Sequence, residues 1–110
     1  MTVSFELGGQ KFLALNGGPN YTFSEAISFQ VSCKSQEEVD AFWSKLSEGG
    51  EDGPCGRLKD KFGVSWQIVP TALPELLGNP DPEKAQRVME AMLQMKKIEI
   101  GALERAAEAA

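Results

Sequence analysis

The stretch that most constrains this chain is Leu58–Pro70, LKDKFGVSWQIVP. Asp60-Lys61-Phe62-Gly63 reads as a tight turn, with Gly63 free to take a positive φ. Beyond it the residues alternate. Val64, Trp66 and Ile68 fall on one face, and Ser65, Gln67 and Val69 on the other, which is the period of a β-strand. A side chain as large as Trp66 needs cover, so its face is expected to pack against a helix. Pro70 has no N–H to give to a ladder and ends the strand. The Ser65/Gln67 face either meets solvent or lines a pocket, and the pattern alone leaves both open.

The segments upstream supply the elements this strand needs. Thr2–Leu7 alternates, with Val3, Phe5 and Leu7 on one face. Gly8-Gly9 is a hairpin turn, and Gln10–Asn16 returns with the continuous apolar run Phe12–Leu15. Such a run predicts cover on both faces. Asn16–Tyr21 is a loop rich in turn residues. Ala26–Cys33 repeats the pattern of the last strand: Ile27, Phe29, Val31 and Cys33 on one side, Ala26, Ser28, Gln30 and Ser32 on the other. Ser35 to Glu38 forms a capping box that opens a helix running to about Glu48. Its Val39, Phe42, Trp43 and Leu46 lie at i, i+3, i+4, i+7, the stripe expected to cover the Ile27/Phe29/Val31 and Trp66/Ile68 face. Gly49-Gly50 ends it.

Downstream, Thr71–Leu77 is a short turn or helix. Asp81 and Pro82 have the N-cap and N1 character of a further helix, with Ala85, Val88, Met89, Met92 and Leu93 as its apolar stripe. Leu103–Ala110 is helical by propensity.

Composition narrows the function. A length of 110 residues suits one domain, and a net charge of −5 argues against a nucleic-acid surface. No apolar run reaches the length of a membrane span, and the N-terminus lacks a secretory pattern. Two cysteines without CxxC spacing fit a reduced, cytoplasmic protein. The chain has no histidine, which removes the commonest general base and metal ligand. Cys55 therefore has no histidine to activate it and reads as a spectator thiol.

The segments GGQKFLALNGGPNYTFSEAISFQVSC and GRLKDKFGVSWQIVPTALPELL, with the tail PEKAQRVMEAMLQMKKIEI, resemble the PhnB-like family. Members of this family are often labelled 3-demethylubiquinone-9 3-methyltransferase. It falls in the glyoxalase/bleomycin-resistance/dioxygenase, or vicinal oxygen chelate, superfamily. The resemblance implies an α+β fold of βαβββ modules with a curved mixed sheet. Residues 26–70 match a complete module, residues 1–16 the remnant of an incomplete first one, and residues 71–110 a helical tail. An incomplete module exposes a sheet edge and an apolar face, so a second copy of the chain is expected to cover them.

The resemblance also places a metal site. Asp60–Gln67 aligns with a D-x-x-G-x-x-x-E motif, so Gln67 stands where the metal-binding glutamate would be. The other ligand positions fall at Ala26 or Ser28 and near Ala14 or Asn16. Neutral amides hold a divalent cation weakly, so neither metal nor other cofactor is expected. No glycine-rich strand-to-helix loop supports a methyltransferase activity.

The expected function is a metal-free module binding a small organic ligand as a homodimer. Asn16, Ser28, Gln30, Ser65 and Gln67 are the candidate ligand-binding residues. One alternative is an enzyme of the vicinal oxygen chelate type, with a metal held by Glu6 or by a partner chain. The other is a structural dimer without ligand, associating through the Met89/Met92 helix and the Leu103 segment.

Overall fold

The computed structural model describes residues 1–108. Ten elements follow one another: β1 (Thr2–Leu7), β2 (Gln10–Leu15), β3 (Phe29–Cys33), α1 (Gln36–Ser47), β4 (Glu51–Asp52), β5 (Arg57–Lys59), β6 (Ser65–Pro70), α2 (Ala72–Leu77), α3 (Pro82–Leu93) and α4 (Ile100–Glu108). Elements β3 to β6 with α1 form one βαβββ unit. Its sheet is mixed, in spatial order β3-β6-β5-β4, with β3 parallel to β6 and the other pairs antiparallel.

Local sequence explains most of these boundaries. The Asp60–Gly63 turn closes through Gly63 N–H to the Asp60 carbonyl at 3.0 Å, with Gly63 at φ +89. Ser35 caps α1 by accepting the Glu38 N–H at 3.2 Å. Glu38 reaches back one residue further than a capping box requires, to the N–H of Lys34 at 2.9 Å. Asp81 caps α3 with Pro82 just inside it.

The first core lies between α1 and the sheet. Val39 and Trp43 pack on Cys33, Leu58 and Ile68, with Val31, Leu46 and Trp66 at the edge. Each large side chain buried here contributes about 1.5–3 kcal/mol. Three expected members fall outside it: Phe42 is 41% exposed, Phe29 43%, and Ile27 74% because β3 begins at Phe29 rather than Ala26. Ser24 causes the late start: its hydroxyl accepts the Ala26 N–H and its carbonyl the Ile27 N–H, which turns the chain out of the sheet.

The second core belongs to the helical tail. Leu73, Val88, Ile98, Leu103 and Ala107 are buried together, and Val69 packs against them from β6. The tail therefore closes one end of the sheet face opposite α1. Leu103 is fully buried within the chain, so its side chain packs in this core. Arg87 ties α3 to the end of α4 by donating to the Ala106 and Ala107 carbonyls at 3.0 and 3.1 Å.

The hairpin β1–β2 forms a sheet of its own. Gly8 and Gly9 both take positive φ, as a two-residue hairpin turn demands. Cross-strand pairing puts Val3, Phe5, Leu7, Phe12 and Ala14 on one face, and Leu13 and Leu15 on the other. All of β1 is exposed, and so is all of β2 apart from a half-buried Phe12. The expected cover on both faces is thus not supplied by this chain. Aromatic contacts link the arm to the body: Phe5 stacks on Phe12, Phe12 meets Phe29 edge-on, and Phe29 lies tilted against Trp66, with centroids 5.4–5.8 Å apart.

Candidate functional site

The sheet face opposite α1 carries the polar residues. Parallel pairing sets Gln30 beside Gln67, and antiparallel pairing sets Arg57 beside Gln67 and Lys59 beside Ser65. Because side chains alternate across a strand, these rows share one face. At its open end lies a half-enclosed cavity of about 360 Å³. Ser28 and Ser65 line it, together with Arg57, Lys59, Glu51 and Asp52.

Two contacts hold the loop before β3 across this face. The Gln67 amide donates to the Ser28 hydroxyl at 2.7 Å, and Lys59 Nζ meets Glu25 Oε1 at 2.6 Å. The lysine's hydrogen bond and charge lower the Glu25 pKa, and Glu25 raises that of Lys59 in return. Both groups face solvent, so the pair positions the loop more than it stabilises the fold.

Of the five candidate residues, the fold brings Ser28, Ser65 and Gln67 together and sets Gln30 next to Gln67 on the same face. Asn16 lies elsewhere, at the base of the hairpin arm, where its N–H donates to the Met1 carbonyl. Arg57, Lys59, Glu51, Asp52 and Glu25 were not foreseen. A signal existed for two of them: Arg57 and Lys59 flank Leu58 at a spacing of two, so a buried Leu58 puts both cations on the opposite face.

The metal positions implied by resemblance do not fit a divalent cation. Gln67 donates its amide to the Ser28 hydroxyl, and neither residue is a charged ligand. Among the described residues no three His, Cys, Asp or Glu side chains gather as a metal-binding group. Glu6 sits on the exposed arm opposite Lys11, outside the cavity. Cys33 is buried, and desolvation raises its thiol pKa. Among the described residues no helix is long and apolar enough to cross a membrane.

A βαβββ unit with a mixed sheet, helix on one face and open on the other, defines a domain of the glyoxalase/bleomycin-resistance type. The chain belongs to the family described as 3-demethylubiquinone-9 3-methyltransferase, whose model matches residues 1–69. The match ends within β6, so the helical tail lies beyond it. The PhnB protein from Bacillus cereus is similar in structure, at 32% identity and a TM-score of 0.58, over 64% of this chain and 64% of that one. Protein PA1353 from Pseudomonas aeruginosa shares the fold at 19% identity and a TM-score of 0.53, over 64% of this chain and 62% of that one. The chain thus spans less than two thirds of each of these two structures. No curated protein matches it.

Proposed function

We propose that this chain is a small-molecule-binding module that acts as a homodimer and uses no metal of its own. The observation that carries the reading is the cavity on the polar sheet face, lined by Ser28, Ser65 and Arg57, with the tail closing the far end of that face. Its size lies in the range of pockets for small organic ligands. Hydroxyls and amides suit holding and orienting a ligand better than breaking its bonds.

The dimer rests on surface area. A compact monomer of 12.0 kDa exposes about 6,000 Å². This chain exposes 7895 Å². The excess of about 1,900 Å² falls within the roughly 1,000–2,500 Å² that one subunit of an obligate dimer buries. The apolar arm is the natural contributor, and a second copy is its occupant. Cytoplasmic residence fits the two free cysteines.

The test is a metabolite screen on the folded chain in the presence of chelator, with particle mass measured on the same sample. Saturable binding by a dimer is expected. A silent screen removes the ligand reading, and a monomer removes the dimer.

A further inference from the structure

Arg57 and Lys59 project from one strand onto the same face, yet their surroundings differ. Lys59 is already neutralised. Glu25 bonds it, and Glu51, its register partner, adds a second carboxylate. Arg57 makes no ion pair among the described residues, and it is one of the residues that line the cavity.

The hydrogen-bond bookkeeping beside it points the same way. Gln67 gives its amide proton to Ser28 Oγ. Ser28 is the acceptor in that bond, so its own hydroxyl proton remains to be donated. Ser28 and Ser65 both line the cavity. An arginine without a direct ion-pair partner and two serines therefore line one half-enclosed space, with Glu51 and Asp52 beside them.

We propose that this cavity takes a compact organic monoanion, with Arg57 as its anchor. The inference rests on the small-molecule reading above and names the chemistry of that ligand. A carboxylate or a phosphoryl oxygen pair fits the planar guanidinium fork, and the serine hydroxyls complete the oxyanion's shell. Glu51 and Asp52 set the limit on charge. They stand on the short edge strand at the rim, where a second negative group on the ligand would be repelled.

The test titrates the full chain at a pH of about 5.5, where benzoate and phenylphosphonate are both monoanions, with these two and the neutral benzamide, followed by amide chemical shifts. Benzoate or phenylphosphonate is expected to saturate shifts at Ser28, Arg57 and Ser65, binding at least about tenfold more tightly than benzamide, as a charge-assisted pair requires. The tighter of the two anions assigns the headgroup as carboxylate or phosphoryl. Arg57→Ala should erase the preference over benzamide while Arg57→Lys retains part of it, with unchanged shift dispersion showing that both variants fold. Equal binding of benzamide, or a preference that survives Arg57→Ala, overturns the anion anchor and leaves small-molecule binding standing. No saturation with any of the three also overturns the anchor. A broad neutral and charged metabolite screen that is silent as well then removes the reading beneath it.

Discussion

Asp60 shows how much one side chain can organise. Its Oδ1 accepts the N–H groups of Phe62 and Val64, and its Oδ2 accepts the Trp66 indole N–H, each at 2.9 Å. The turn, the start of β6 and the Trp66 ring are all set by one carboxylate. Asp60→Ala is expected to cost about 2–4 kcal/mol, because three donors lose a charged acceptor. Asp60→Asn keeps the two backbone bonds through its carbonyl oxygen and should cost about half as much. Urea melts of both variants check the ranking. The Glu25–Lys59 pair gives a prediction in pH. Glu25 has a lowered folded pKa, so its contribution is present above the ordinary glutamate range and is lost as pH falls through that lowered value. Protection of the amides at residues 24–28, corrected for the intrinsic slowing of exchange in acid, should therefore fall as pH drops, and at neutral pH it should fall with added salt. Protection unaffected by either condition would show that the pair does not hold the loop.

At the scale of elements, Gln36 joins the two cores. Its amide donates to the Ile98 carbonyl at 3.0 Å, and its oxygen accepts the Ile100 N–H at 2.7 Å. The first residue of α1 thus fixes the entry to α4. Gln36→Ala is expected to destabilise by about 2–3 kcal/mol and to raise amide exchange across α4 before it does so in the sheet. Equal exchange in both regions would mean the cores unfold as one. Such links explain what could be read in advance. Elements with a local signal were legible: the Gly8-Gly9 turn, the Ser35 cap, and the alternation of β6. The start of β3 was not, since Ala26–Ser28 alternates like a strand and the Ser24 turn that removes it leaves that pattern intact. Ser28, Ser65 and Gln67 could be grouped because β3 and β6 show matching faces. Asn16 could not be placed, because its position depends on how the arm leaves the body.

At the scale of the molecule, the arm makes the particle long. The principal extents are 57 × 26 × 22 Å, and the radius of gyration is 16.4 Å against about 13 Å for a compact chain of this length. Phe5 lies on the apolar face of the arm and is exposed. Phe5→Lys is expected to convert a dimer into a monomer at micromolar concentration while leaving the α1 core intact, as read by light scattering and by unchanged near-ultraviolet circular dichroism. A Phe5→Lys chain that still sediments as a dimer would place the interface elsewhere.

The parallel pairing of β3 with β6 also orders events in time. The hairpin β1–β2 can close within microseconds of Leu15 becoming available. Phe29 must wait for Trp66, its register partner, which follows a few seconds later at a synthesis rate of about 5–20 residues per second. For that interval the apolar arm is finished while the ring contact that carries it onto the body, Phe29 against Trp66, has yet to form.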